Sequence, residues 1–169
     1  MTEPGAGRQL AFAATTHRLP RARLRPLAGG EAGDLAAALA AIDPFRRLGL
    51  SSAGLAAYLL RRDHALRRFA IDTDGRAVGL LAMRWPWLRG PLIETLAILP
   101  AAQRQGLGSQ AVDWAATQAG RLAANLWVTV SDFNYAGRAF YARQGFAEVA
   151  RLPDLIAETS DEILLRRRL

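Results

Sequence analysis

A six-residue stretch, Gln103-Arg104-Gln105-Gly106-Leu107-Gly108, joins a strand-like run, LIETLAIL (92–99), to a helix-like run, SQAVDWAATQAG (109–120). A further strand-like run, NLWVTVSD (125–132), follows, with Leu126, Val128 and Val130 on one face. Two strands joined by a helix lie parallel in one sheet, and the crossover packs its helix against one face. This unit fixes the middle of the fold. It also places two glycines, the residues with the fewest backbone restrictions, at the strand-to-helix join.

The remaining segments surround that unit. ARLRPL (22–27) alternates and reads as a strand. GEAGDLAAALAAI (30–42) reads as an Ala-rich helix that stops short of Pro44, because the residue before a proline avoids helical angles. SSAGLAAYLLRRD (51–63) reads as a second helix, capped by Ser51 or Ser52, with Leu55, Tyr58 and Leu59 as its apolar stripe. ALRRFAIDT and RAVGLLAMRW flank Asp74-Gly75, a pair suited to a two-residue turn that needs positive φ twice. Pro86 is expected to bend or fray its strand, and Gly90-Pro91 to form a turn. AGRAFYARQ (136–144) reads as a helix ended by Gly145, with Phe140 on its core stripe and Tyr141 about 100° away from it. FAEVARL and EILLRRRL read as the last two strands. The order β-α-α-β-β-β-α-β-α-β-β predicts a single-domain α/β fold, a mixed, mostly antiparallel sheet with helices on both faces. Residues 1–20 lack periodicity and read as a disordered tail, leaving 21–169 as the domain.

Composition removes several function classes. There is no cysteine, so disulfides, thiolate metal sites and a cysteine nucleophile are excluded. The two histidines, His17 and His64, lack metal-ligand spacing and read as surface residues, and no metal site is expected. The net charge is +7, and all 22 basic residues are Arg. Residues 26–165 hold 14 Arg against 14 acidic residues, so the excess lies at the two ends. A nucleic-acid binder spreads basic side chains over one face; terminal arginines read more simply as solvated charge. No apolar run approaches the roughly 20 residues of a membrane span, and the chain is expected to be cytoplasmic.

Three phosphate-binding readings compete for the glycine loop. Gly106, Gly108 and Ala111 fit G-x-G-x-x-A with Asp132 after the next strand, the pattern of a dinucleotide-binding oxidoreductase. However, six residues including Pro100 separate that strand from the first glycine, where the fingerprint wants a tight turn. A P-loop needs a lysine, and the chain has none. The third reading is a nest of backbone N–H groups at a helix N-terminus, reinforced by Arg104, around a pyrophosphate.

Two separated motifs carry a resemblance that favours the third reading. Gln103-Arg104-Gln105-Gly106-Leu107-Gly108 resembles the Q/R-x-x-G-x-G/A signature of the GCN5-related N-acetyltransferases, and NYAGRAFYARQGF (134–146) resembles that family's N-x(6)-Y-x(3)-GF segment. Gly137 departs from it, since alanine is common there. The similarity covers about residues 22–169. It implies acetyl-CoA as donor and an amine as acceptor, either a small-molecule amine or a protein N-terminus. It implies that Gln103, Arg104, Gln105, Gly106, Leu107, Gly108 and Ser109 hold the pyrophosphate, largely through backbone amides. The pantetheine would run beside the main chain of Leu96 and Ile98, Asn134 would bond the cofactor, and Tyr141 would protonate the departing thiolate. A non-catalytic acyl-CoA-binding domain of the same fold is the alternative. A homodimer is compatible with the sequence.

The residues fit those roles chemically. A thioester needs no covalent enzyme intermediate when an amine is held against its carbonyl, which suits a chain without cysteine. Glu94 is the only acidic residue of its strand and, by alternation, shares a face with Leu92, Leu96 and Ile98. A carboxylate among apolar neighbours holds its proton more tightly, which suits a base near neutral pH. Glu94 is therefore expected to be the base and the N–H of Ile98 or a neighbour to meet the oxyanion. Phe45, Trp85, Trp87 and Leu155 are candidates for an apolar acceptor pocket, Arg46, Arg47 and Arg84 for a carboxylate, and Asp154, Glu158 and Asp161 for an amine.

Overall fold

The computed structural model describes residues 12–169. Its strands are β1 His17–Arg18, β2 Arg23–Pro26, β3 Leu66–Thr73, β4 Arg76–Trp87, β5 Gly90–Ile98, β6 Asn125–Ser131, β7 Ala147–Ala157 and β8 Ser160–Arg168. Its helices are α1 Ala32–Ala40, α2 Ser52–Leu60, α3 Leu107–Ala119 and α4 Tyr135–Arg143. The sheet runs β1-β2-β3-β4-β5-β6-β8-β7. Every neighbouring pair is antiparallel except β5 and β6, the ends of the crossover. This is the mixed, mostly antiparallel single-domain sheet that the element order predicts, with one strand added at its edge.

The two faces are covered differently. On one, α1 and α2 bury Leu35, Leu39, Leu55 and Leu59 against Leu80 and Ala97. On the other, α3 buries Leu107, Ala111, Val112 and Ala115 against Phe69, Ile71, Leu81 and Met83. The alanines of α3 let the helix lie close to the sheet, so the larger strand residues fill the space between them.

Local chemistry explains most boundaries. Asp74 and Gly75 take φ of 52° and 82°, the two positive values their hairpin requires. Ser51 caps α2, its hydroxyl accepting from the Gly54 N–H at 3.0 Å. At Pro86 the β4–β5 register jumps from Arg84 to Trp87. The expected turn at Gly90-Pro91 lies two residues earlier, at Leu88-Arg89, with Arg89 at φ 49°. Gly90 instead opens β5 beside β6, where a Cβ would sit 2.3 Å from the Asn125 carbonyl oxygen.

The expectation of disorder through residue 20 is corrected for the described part of that segment; residues 1–11 lie outside it. Phe12 and Leu19 are buried, and β1 pairs with β2. His17, expected at the surface, is half-buried. Its ring packs tilted against Trp114 at 4.8 Å and edge-on to Phe69 at 5.7 Å, and its Nε2 lies 3.0 Å from the Ala13 carbonyl oxygen. Spaced apolar residues in a Gly- and Thr-rich segment give no period, so only the groove beside α3 decides their burial.

The basic N-terminal arginines are likewise not simply solvated. Asp72 is 1% exposed and accepts from Arg23 Nη2 at 2.8 Å, Arg25 Nε at 2.7 Å and the Gly75 N–H at 3.1 Å. Arg25 also grips Glu31 through two bonds of 2.7 and 2.8 Å. Burial by itself would raise the proton affinity of Asp72, but the hydrogen bonds from the two arginines and Gly75 outweigh it and hold its carboxyl below the usual aspartate range. Its stabilisation is therefore complete above the unfolded aspartate pKa of about 3.9 and is lost as pH falls through the lower folded value. Asp72→Ala is expected to cost about 3 kcal/mol at pH 7, and less at pH 3, where part of the pairing is lost. Urea unfolding at both pH values checks this; an equal cost at both would refute the pairing account.

Candidate active site

The site begins with an interruption in β5. Ala82 pairs with Thr95 and Met83 with Ile93, so Glu94 is an extra residue, a β-bulge. The bulge shifts the alternation of the strand. Ile93, Leu96 and Ile98 all pack on the α3 face, whereas Leu92 belongs to a separate cluster with Trp127 and Leu164. The expected common face for Glu94, Leu92, Leu96 and Ile98 is thus corrected: one inserted residue changes the parity.

Beside the bulge the crossover strands part. β5 and β6 pair only at Leu92 with Trp127 and Ile93 with Val128, while β6 remains paired to β8 as far as Ser131 and Glu162. A cavity of ≈ 850 Å³ fills the gap. The edge of β5 facing it has free main-chain groups. The Leu99 N–H donates toward β4, to Val78, at 2.8 Å, and strand groups alternate in direction, so those of Ile98 and Leu96 point into the gap. The Ile98 carbonyl there accepts from Gln103 Nε2 at 2.9 Å.

The glycine loop closes one end of the gap. Arg104 and Gly106 both adopt left-handed φ, 62° and 76°, and α3 starts at Leu107, earlier than the sequence suggests. The backbone amides of residues 104–109 donate to no acceptor among the described residues, and the first helical bond is Gln110 N–H to the Gly106 carbonyl. Such a run at a helix N-terminus is an anion-binding concavity. The two glycines have different jobs. Gly106 supplies the left-handed turn. Gly108 is helical and gives room, since a Cβ there would meet the Phe140 ring at 3.4 Å. Leu107 is anchored in the core and Ser109 accepts from Gln144 Nε2 at 3.0 Å, so both face the loop with amides and not with side chains.

Helix α4 forms the adjoining wall. Asn134 caps it, its Oδ1 accepting from the Gly137 N–H at 2.9 Å. A Cβ at 137 would come within 2.6 Å of Asn134 Nδ2, so the glycine that replaces the family's alanine makes room for this amide. Tyr141 is 7% exposed and is the buried residue of the helix, whereas Phe140 is half-buried, the reverse of the expected stripe. Phe146 beyond the helix end packs edge-to-face with Tyr141 at 5.4 Å and draws it inward. Burial pushes the phenol far above its usual range, and its hydroxyl has no hydrogen-bond partner among the described residues.

The other end of the gap lies under the α1–α2 loop and α2, where Phe45, Leu48, Leu50, Leu55 and Tyr58 line it. Tyr58 lies 3.3 Å from Thr95 Oγ1 and is pushed up to about 12, chiefly by burial. Of the expected acceptor residues only Phe45 takes part. Trp85 packs in the main core, Trp87 stacks on Trp127 at 5.6 Å, and Leu155 faces solvent while its neighbour Ile156 lines the cavity. Arg46 pairs with Asp43, and Arg47 lies over Phe133. Arg84 pairs with both Glu94 and Asp63. Asp161 is held by Arg151 at 2.7 Å.

Of the expected site residues, Glu94, Leu96, Ile98, Gln103, Arg104, Gly108, Asn134 and Tyr141 meet in this one cavity. Glu94 is tied to Arg84, so its expected apolar setting is not found. Glu162, which sequence reasoning passes over, lines the same cavity at 2% exposure. The DE pair at 161–162 looks like a solvated strand start. Only the β6–β8 register reveals which of the two carboxylates turns inward.

The profile of the Acetyltransferase (GNAT) family matches residues 36–146, well over half of the chain. The chain belongs to this family. It is therefore an acetyl-CoA-dependent acyltransferase. No curated protein sequence matches this acetyltransferase. Solved structures that share its fold include an acetyltransferase from Thermus thermophilus, with 21% identity, TM-score 0.70, and 90% of this chain and 100% of that one covered. A probable GNAT-family acetyltransferase from Chromobacterium violaceum has 17% identity and TM-score 0.74, with 92% of each chain covered. A GNAT-family acetyltransferase from Elizabethkingia anophelis, solved with acetyl-CoA bound, has 19% identity and TM-score 0.66, covering 89% of this chain and 99% of that one. No helix among the described residues of this acetyltransferase is long and apolar enough to cross a membrane.

Proposed function

We propose that this acetyltransferase moves the acetyl group of acetyl-CoA directly onto a primary amine with an apolar body, a small-molecule amine or a protein N-terminus, while both substrates are bound. The observation that carries the reading is the parting of β5 and β6. It leaves one cavity with free amides and Arg104 at one end, apolar and aromatic side chains at the other, and main-chain N–H groups of β5 between them. The amides of residues 104–109 would take the diphosphate, and the free edge of Leu96 and Ile98 would align the pantetheine. Gln103 would exchange its bond to the Ile98 carbonyl for one to the cofactor. Asn134 would orient the same arm. The Ile98 N–H would stabilise the oxyanion.

Tyr141 serves the leaving group. Burial keeps the phenol protonated throughout the working pH range. A phenolate there would be a buried, unpaired charge, so the proton moves to sulfur only as one arrives from the amide nitrogen. Among the described residues the acceptor end carries no unpaired arginine for a carboxylate, which favours amines over amino acids.

The test uses the whole chain, which contributes no thiol background. Acetyl-CoA is expected to raise the melting temperature, and an amine panel read by a thiol reagent to release CoA, arylalkyl- and alkylamines ahead of amino acids. Acetyl-CoA binding without turnover of any amine would leave an acyl-CoA-binding domain. No thermal or calorimetric response to millimolar acetyl-CoA would refute the reading altogether.

A further inference from the structure

We infer that Glu162 receives the proton of the acceptor amine and that Ser131 holds its carboxylate for that purpose; the inference rests on the acyl-transfer reading above. Two carboxylates line the cavity. Glu94 is paired with Arg84, which also holds Asp63 at 3.0 Å, so its carboxylate is committed to an ion-pair network. Glu162 has no cationic partner among the described residues. It stands directly opposite Ser131 in the β6–β8 register, and the Ser131 hydroxyl donates to its Oε1 at 2.5 Å. Ser131 is itself buried. Glu162, Ser131 and Thr129 all line the cavity where the strands part.

The surroundings favour proton uptake. Burial raises the proton affinity of Glu162 above the ordinary glutamate range, the hydrogen bonds from Ser131 and Thr129 oppose this, and the charge of Asp132 adds to it. On β7, Arg151 bridges Asp132 and Asp161 at 3.4 and 2.7 Å and is half-exposed, so its charge is spent on them. On β5, Glu94 is neutralised by Arg84. From α2 and α4 come only the neutral phenols of Tyr58 and Tyr141, and the α1–α2 loop brings no charged residue to the cavity.

The protons balance. Glu162 takes one from the incoming ammonium and passes it to solvent, leaving a neutral amine. As the C–N bond forms and the C–S bond breaks, Tyr141 gives its proton to sulfur and regains the second from nitrogen. Acetyl-CoA and the ammonium become the amide, free CoA and one released proton.

The experiment measures kcat/KM against pH for the full chain, Glu162→Gln, Glu94→Gln and Ser131→Ala, using an amine found by the panel. For the native chain the rate should rise along an acid limb above the ordinary glutamate range. Glu162→Gln should abolish that limb and lower kcat/KM about a hundredfold or more, with acetyl-CoA affinity retained. Ser131→Ala should move the limb to higher pH, which a merely structural role would not do. Loss of the limb in Glu94→Gln but not in Glu162→Gln would overturn the inference and leave acyl transfer standing; no response to acetyl-CoA would remove the reading beneath it. A second measurement needs no acceptor. A carboxylate whose folded pKa is raised loses its contribution to stability as pH rises through that value, so Glu162→Gln should raise the melting temperature more at pH 8 than at pH 5. An equal effect at the two pH values would also overturn the inference.

Discussion

Tyr141→Phe is expected to lower kcat about a hundredfold and to leave both the fold and acetyl-CoA binding intact. The substitution removes one oxygen from a ring that packs against Phe140 and Phe146 at 5.1 and 5.4 Å. That oxygen has no hydrogen-bond partner among the described residues, so the native state loses no bond with it. The reaction loses the donor that meets the departing sulfur. A thiolate then leaves unprotonated into an apolar wall, where a bare charge is costly. Turnover limited by a step other than C–S cleavage, such as product release, would hide the effect, so the comparison belongs at saturating acetyl-CoA with a slow acceptor. Steady-state kinetics and calorimetric titration with acetyl-CoA check the two halves of the prediction. A kcat within about threefold of the native value would take Tyr141 out of the mechanism.

Gly106→Val is expected to weaken acetyl-CoA binding by about tenfold to a hundredfold. Gly106 has φ 76°, a region that costs an L-residue roughly 1–2 kcal/mol and is a genuine outlier for a β-branched one. A valine there rotates the peptide out of the left-handed region and turns adjacent amides away from a common point. The helix itself is held by Leu107, Ala111, Val112 and Ala115 in the core, so the melting temperature should fall by only a few degrees. Gly106→Asn is the matched control, since asparagine visits the left-handed region readily; it should keep most of the affinity. Equal, undiminished binding in both variants would mean that the amides of residues 104–109 do not carry the diphosphate.

Much of the machinery was legible because it depends on short-range chemistry. The Asp74-Gly75 turn, the Ser51 cap, the strand–loop–helix–strand crossover and the glycine loop each follow from a few neighbouring residues. The paired motifs at 103–108 and 134–146 then brought Arg104, Asn134 and Tyr141 into one expected site. Errors arose where a long-range contact reset a local pattern. Strict alternation put Glu94 with Leu96, but the bulge opposite Ala82 and Met83 moved it out of phase. Helical stripes put Phe140 inward, but Phe146 and the sheet bury Tyr141. Trp85 and Trp87 looked like pocket residues because large aromatics suit pockets and cores equally well, and here they pack half-buried against core clusters. Glu162 was passed over because nothing near it in the chain distinguishes it from Asp161.

The sequence by itself determined the element order, the parallel crossover and the run of unprotected amides at residues 104–109, because turns, caps and left-handed glycines act over a few bonds. Only the tertiary structure decided which of the two cavity carboxylates has no cationic partner among the described residues. That choice depends on the point at which β5 and β6 part, on the register that sets Glu162 opposite Ser131, and on the arginine from a neighbouring strand that occupies Glu94. Each is a pairing between residues far apart in the chain, and no local pattern specifies it.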